Sequence, residues 1–305
     1  MEIYDVVILG MGPGGLTAGI YAARYNLKTL ILGEMPGGML AEAYEICNFP
    51  SYDKIGGMEL MDRMEKHATG LGVEVRMDTV TDIGGKDMDF TIRGGRGEYR
   101  AKKIILATGT VRVKLGLPGE EKLAGRGISY CATCDAAFYK GKTVGVVGGG
   151  NSALSSALLL SEYADTVYII YRRERFFRPE PVRINEAKQR ENIKVLFNTQ
   201  VTELMGNERL EAVKLRDPQG DSKLELNGLF VEMGATPRSS LGEKLGVALD
   251  EKGYIVTEPE RRTTVRGVYA AGDVIDSPLK QGITAAGQGA EAAASVFEDL
   301  NLISN

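Results

Sequence analysis

Cysteine and histidine are scarce in this chain, with three cysteines and one histidine among 305 residues. Three cysteines are too few for the disulfide framework of a small secreted domain, so a reducing cytoplasm is the expected compartment. Structural zinc needs four ligands, usually from two close pairs. Cys47 and His67 lie scattered from Cys131 and Cys134, so no metal is expected. Cys47 reads as a small buried hydrophobe and His67 as a surface or packing residue. No apolar run reaches the roughly 18 residues of a membrane span. Positive charge is not in excess: 37 Lys and Arg stand against 41 Asp and Glu, for a net charge of −4. A basic face for nucleic acid or for an anionic membrane is therefore not expected. The opening residues read as an acidic strand and not as a secretion signal.

Glycine is plentiful, with 39 residues, and the length suits two domains. Residues 4–9 form a short, apolar, β-branched run of the kind buried in a parallel sheet. Gly10-Met11-Gly12-Pro13-Gly14-Gly15 follows, then helical spacing over residues 16–25, then a second strand over 29–32. In such a strand–turn–helix unit the first glycine allows the tight turn. The second lets backbone approach a pyrophosphate, and the third lets helix pack on strand. The helix N-terminus adds amide N–H groups and a positive dipole. Glu34, closing the second strand after Gly33, is placed to accept hydrogen bonds from ribose hydroxyls.

The same logic recurs. A strand over residues 143–147 leads into Gly148-Gly149-Gly150-Asn151-Ser152-Ala153, then a small-residue helix over 153–163 and a strand over 166–171. That strand ends in Arg172 and Arg173, with Arg175 and Arg178 beyond. Arginines at this position accommodate a 2′-phosphate, where a carboxylate selects a free ribose. The first unit therefore suits FAD and the second NADPH, the bland alternative for the arginines being a solvated basic strand end.

Between the two turns, residues 57–71 read as an amphipathic helix and 73–100 as antiparallel strands. Residues 103–109 return a buried strand to the first sheet. Residues 193–240 alternate strands and turns. A final buried strand over 263–273 ends in Asp273, suited to a hydroxyl chain. After Gln281-Gly282 a small-residue helix over 283–297 could set its N-terminus under a flavin ring. Asn48 could bond a ring edge. Because the C-terminal segment serves the first unit, the expected layout is α/β: two Rossmann-like dinucleotide-binding domains, the second inserted into the first. Residues 1–112 and 241–305 would bind FAD, and 113–240 would bind NADPH and carry the cysteine pair.

Cys131-Ala132-Thr133-Cys134-Asp135 precedes the second glycine turn. Two thiols at this spacing bind zinc, belong to a thioredoxin-like domain, or serve as a redox dithiol. The first lacks ligands and the second lacks room between residues 113 and 140. What remains is a dithiol fed by the flavin. A helix starting near Ala136 would favour thiolate through its dipole. Asp135 is the adjacent acid, able to protonate a leaving thiolate or take a proton back.

Taken together, these segments resemble the low-molecular-weight thioredoxin reductase family over essentially the whole chain. They are Gly10–Gly15, Ala107-Thr108-Gly109, residues 131–135, Gly148–Ala153, Ala271-Gly272-Asp273 and Lys280-Gln281. The resemblance implies Cys134 as the flavin-side thiol, Cys131 as the interchange thiol and Asp135 as the acid–base residue. It implies Thr108, Gly109, Gly272, Asp273, Lys280, Gln281 and Gly282, with Gly38, Met39 and Leu40, at FAD. It further implies a homodimer that passes electrons from NADPH through FAD to the disulfide and on to thioredoxin. The chain departs from the family pattern at Tyr171 (commonly His), at one extra residue before Arg178, at Met39 (commonly Gln) and at Cys47 (commonly Glu). Alternatives are a same-fold enzyme fed by ferredoxin or a deazaflavin, one serving another thiol protein such as a peroxidase system, or a dithiol oxidase. A non-catalytic flavin- or metal-binding module is the reading from a different class.

Overall fold

The computed structural model describes residues 2–43, 46–177 and 180–304. The chain divides into two units, one of Met1–Val111 with Thr236–Asn305 and one of Arg112–Ala235.

The first unit is built on a seven-stranded sheet. Its order is Glu74–Met77, Thr29–Gly33, Ile3–Leu9, Gly97–Leu106, Asp89–Gly94, Val80–Lys86, and Val268–Ala270 adds onto Gly97–Leu106. The strand Ile3–Leu9 is buried on both faces because successive side chains alternate. Val6 and Ile8 enter one core with Leu16, Ala18, Met61 and Val296. Val7 and Leu9 enter a second core with Phe90, Ile92 and Val274. Helix Pro13–Arg24 packs against helix Gly57–Gly70 and the long C-terminal helix Gly282–Ser304. A Cβ on Gly289 would lie 2.0 Å from the Gly14 carbonyl oxygen, so glycine there lets the last helix press onto the first.

One expectation is corrected. Glu74–Met77 is not antiparallel but pairs parallel with Thr29–Gly33, Leu30 facing Glu74. It follows a helix, and a helical crossover returns the chain in the parallel sense, whereas antiparallel pairing needs only a short hairpin. The strands Val80–Lys86, Asp89–Gly94 and Gly97–Leu106 are antiparallel, as the turn glycines suggest. The expected strand over 263–273 shrinks to Val268–Ala270, since the Thr263 hydroxyl bonds Val265 and Val268 and curls the chain into a turn.

The second unit carries a five-stranded parallel sheet ordered Ile193–Leu196, Thr166–Ile170, Thr143–Val147, Gly228–Val231, Ile128–Ser129. Helix Asn151–Ser161 covers one face through Leu154, Ala157 and Leu160. The other face buries Ile170, Leu229 and Val231 against a three-stranded antiparallel sheet of Gln200–Met205, Ala212–Asp217 and Gly220–Glu225. The architecture is α/β with two Rossmann-like units, the second inserted into the first. Among the described residues no helix is long and apolar enough to cross a membrane.

Candidate functional site

The two glycine turns have the same steric logic. In the first, Gly10 sits at φ +126° and a Cβ would lie 2.0 Å from the Ala107 oxygen. A Cβ on Gly15 would lie 1.9 Å from the Gly10 oxygen, yet around Gly12 the nearest atom is 3.9 Å away. In the second, Gly148 sits at φ +153° with the Glu232 oxygen 2.2 Å from the built Cβ, whereas Gly150 has nothing within 4 Å. Ala153 fills the third position fully buried. The outer glycines are thus demanded by the protein's own packing, and the middle ones by nothing inside it. What they leave clear is the approach of a phosphate-bearing ligand. Gly12 and Gly150 are also helix N-caps without a side-chain hydrogen bond, with Pro13 in the first helical turn, so neither cap side chain consumes the first-turn N–H groups. The residues present fit two dinucleotides.

Around the first turn the chain gathers segments far apart in sequence. A Cβ on Gly33 would meet the Met11 side chain at 2.5 Å, and one on Gly38, at φ +60°, would meet Gly12 Cα at 3.2 Å. A Cβ on Gly14 would come within 3.2 Å of the Ala285 oxygen, and one on Gly282 within 2.7 Å of the Leu40 side chain. The Thr110 hydroxyl reaches Met39 Sδ at 3.6 Å. Asn48 Nδ2 donates to Gln281 Oε1 at 3.0 Å, joining two candidates from opposite ends of the chain. Glu34 is exposed, and its carboxylate accepts from Arg238 at 2.9 Å. Arg238 N–H in turn donates to the Gly109 oxygen at 2.9 Å, and the Thr108 hydroxyl donates to the Arg238 oxygen at 2.7 Å.

Asp273 follows Gly272, whose N–H donates to the buried side chain of Gln288 at 2.9 Å. Burial pushes the Asp273 carboxyl above its ordinary range, with Lys280 pulling the other way. Burial likewise lowers Lys280, opposed by Asp273. The Lys280 ammonium donates to the oxygens of Asp273 and Ile275 at 3.1 and 2.7 Å and lies 3.9 Å over the Tyr254 ring. It ties down the Asp273 loop by backbone bonds. Arg238 and Gln288 were not among the sequence candidates. Gln288 carried a signal, a lone amide between glycines in an otherwise small-residue helix. Arg238 carried none.

Around the second turn, the loop after Thr166–Ile170 folds back. The Tyr171 ring lies against Gly149, where a Cβ would be 2.4 Å from ring atoms. Phe177 N–H donates to the Gly149 oxygen at 2.8 Å, and Asn151 Oδ1 accepts from Glu180 N–H at 2.7 Å. Ser152 is exposed at the head of the helix. Arg172 and Arg173 are exposed, Arg173 stacking on Phe177 at 4.9 Å. Arg178 lies outside the described residues.

Cys131 and Cys134 form a disulfide with Cα atoms 5.4 Å apart. The expected helix start near Ala136 is corrected: an α-helical turn already spans Ala132–Asp135, and a 3-10 turn follows over Ala136–Tyr139. Cys131 caps the first of these turns and Cys134 lies within it, and both turns are too short for a useful dipole. The Cys131 sulfur instead receives the Cys134 N–H directly at 3.2 Å. Cys131 and Asp135 are half-buried and Cys134 is exposed. Burial, then the Asp135 charge, pushes the Tyr139 phenol up. Phe138 is 73% exposed beside the pair. Cys47 is exposed rather than buried: it follows the Ile46–Ile55 bridge, and Ile46 takes the inward position. Among the described residues no group of three or more His, Cys, Asp or Glu is placed to hold a metal.

The profile of the pyridine nucleotide-disulphide oxidoreductase family matches residues 4–289. The thioredoxin reductase of Bacillus subtilis is 39% identical over 300 residues, covering 97% of this chain and 94% of that protein. The crystal structure of Lactococcus lactis thioredoxin reductase (FR conformation) superposes with a TM-score of 0.93 at 36% identity, covering 97% of this chain and 98% of that one. That of T. acidophilum thioredoxin reductase gives 0.93 at 38% identity, over 98% of this chain and 99% of that one.

Proposed function

We infer that this chain, which belongs to the pyridine nucleotide-disulphide oxidoreductase family, is a thioredoxin-disulfide reductase. The observation that carries the reading is a disulfide with one exposed cysteine in a chain that holds two glycine turns cleared for dinucleotides. The unit of residues 1–111 and 236–305 is the FAD-binding domain and that of 112–235 the NADPH-binding domain.

The bound dinucleotides would supply the electron pair that opens the disulfide. Gly10, Gly12 and Gly15 shape the first phosphate cradle, and Pro13, which has no N–H of its own, opens the helix whose first turn carries the Gly14 and Gly15 N–H groups. Asn48 and Gln281, already bonded to each other, hold the ring end, and Asp273 holds the hydroxyl chain. Glu34, linked through Arg238 to Thr108 and Gly109, would accept hydrogen bonds from the ribose hydroxyls. In the second unit Gly148, Gly150 and Ala153 shape the cradle, and Arg172 and Arg173, with Arg178, meet the 2′-phosphate that separates NADPH from NADH.

Opening the sulfur–sulfur bond takes two electrons and two protons and leaves two thiols. Cys131 then attacks a thioredoxin disulfide as thiolate, forming a mixed disulfide and releasing one thioredoxin sulfur. Cys134 attacks Cys131 Sγ, which restores the internal disulfide and frees the second thioredoxin thiol. Asp135 protonates or deprotonates Cys134 as it leaves and returns. The protein works as a cytoplasmic homodimer.

The test is an anaerobic titration of purified protein reconstituted with FAD. NADPH should bleach the yellow colour far better than NADH or reduced ferredoxin, and thiols should then appear on added thioredoxin. A protein that stays colourless with FAD, or that only ferredoxin bleaches, would overturn this assignment.

A further inference from the structure

Glu120 is a carboxylate that none of the steps above uses, and only 3% of it is exposed. Its oxygens accept from the N–H groups of Leu115 and Gly116 at 2.8 and 2.7 Å and from the Tyr130 hydroxyl at 2.6 Å. Burial alone would push this carboxyl up. The Tyr130 hydroxyl and the N–H groups of Leu115, Gly116 and Leu117 outweigh burial and hold it below the ordinary range. It is therefore an anion at neutral pH, held by neutral donors, and each donor is strengthened by its charge.

Tyr130 immediately precedes Cys131. On its other side Ser129, buried in the strand Ile128–Ser129, accepts from Cys131 N–H at 3.1 Å and donates its hydroxyl to the Cys131 oxygen at 3.3 Å. The backbone entering the redox turn is thus clamped by a sheet strand on one side and by a buried anion on the other. The Cys131 sulfur itself accepts the Cys134 N–H at 3.2 Å. When the disulfide opens, that N–H can stabilise a Cys131 thiolate only if the two residues keep their separation.

We propose that Glu120, acting through Tyr130, is a positioning residue that keeps Cys131 within reach of the Cys134 N–H after the disulfide opens, and so sets how readily the pair is reduced. This rests on the Cys131–Cys134 pair being the redox centre. Opening consumes two electrons and two protons per disulfide, and a dithiol can supply both. A thiolate held by an N–H makes the reduced form more stable. Losing the clamp therefore makes the disulfide harder to reduce.

The experiment uses the full chain equilibrated anaerobically in dithiothreitol redox buffers. Cys131 is followed by alkylation and peptide mass, which separates it from Cys47. Glu120→Gln keeps the volume but turns an amide N–H toward backbone N–H donors. Tyr130→Phe removes one hydroxyl and leaves the carboxylate with its backbone partners, so it reports even if the first variant does not fold. Both should raise the pH midpoint of Cys131 alkylation, and Tyr130→Phe should lower the equilibrium constant for reduction about tenfold, which is about 30 mV for a two-electron couple. Wild-type midpoint and equilibrium constant in Tyr130→Phe, whatever its melting temperature, would overturn the proposal. Because dithiothreitol replaces thioredoxin, a shift in these values with no thioredoxin reduction by the wild type would sink the assigned function and leave the positioning role standing.

Discussion

Gly148 and Gly150 differ by two positions and should fail in opposite ways. Gly150 has φ −103° and ψ −173°, which any residue adopts, and a Cβ there meets nothing within 4 Å. Gly150→Ala should leave folding intact, or add about 0.4–1 kcal/mol by restricting the unfolded chain. The new methyl group occupies the side left clear for a pyrophosphate, so NADPH affinity should fall at least tenfold, or about 1.4 kcal/mol. Gly148→Ala faces two costs, a backbone at φ +153° and the Glu232 oxygen 2.2 Å from the new carbon. Glycine-only backbone regions alone cost other residues about 1–3 kcal/mol. A loss of about 2 kcal/mol lowers the melting temperature by about 4–8 °C for a domain of this size. Thermal melts of the reconstituted protein, paired with anaerobic NADPH titrations, separate the two. If Gly150→Ala binds NADPH like the wild type, or Gly148→Ala melts with it, the division of labour between the glycines is wrong.

Replacing either Cys131 or Cys134 by Ser should abolish thioredoxin reduction while the protein still takes up FAD, read as retained yellow colour beside zero turnover. Gln288→Leu strands the Gly272 N–H in a buried place at a cost of about 1–3 kcal/mol, seen as an earlier urea midpoint, because that N–H now donates to the amide at 2.9 Å. Asp299 gives a pH signature. Burial raises its carboxyl, but hydrogen bonds from Arg262 and Tyr269 bring it below the ordinary range. A lowered folded-state value means stability that is present above the unfolded value, about 3.9, and is lost as pH falls through the folded one. Asp299→Asn should be less stable than the wild type at pH 6, with the difference shrinking as the pH is taken below 4; a constant difference in urea midpoint would count against the pairing.

Local chemistry made much of this legible. A glycine turn between an apolar strand and a helix is written in consecutive residues, and both turns stand where the spacing puts them. The Cys131–Cys134 bond spans three positions. The failures lie in how the chain closes on itself. Nothing near Cys47 says that Ile46 takes the buried place beside Ile55. Whether Glu74–Met77 runs parallel depends on the strand it meets, not on its own residues. Glu34 looks available until Arg238, 204 residues away in sequence, is brought beside it. Glu120 looks like one more acidic turn residue until the chain folds Leu115, Gly116 and Tyr130 around it. For Glu34 and Glu74–Met77 the deciding partner is distant in sequence, while for Cys47 and Glu120 it lies nearby but is set by how a loop closes, and periodicity carries no record of either.

The seating of Gly289 on the Gly14 carbonyl has a consequence for biosynthesis. The cradle at Gly10–Gly15 opens a helix whose outer wall is supplied by residues near the other end of the chain. A ribosome delivers all of residues 112–235 before that wall exists, so the inserted unit can mature first while the N-terminal turn waits half-built. On the proposed assignment, flavin loading therefore waits until the helix Gly282–Ser304 has been made, and a nascent fragment lacking it has no complete pocket in which to trap the cofactor.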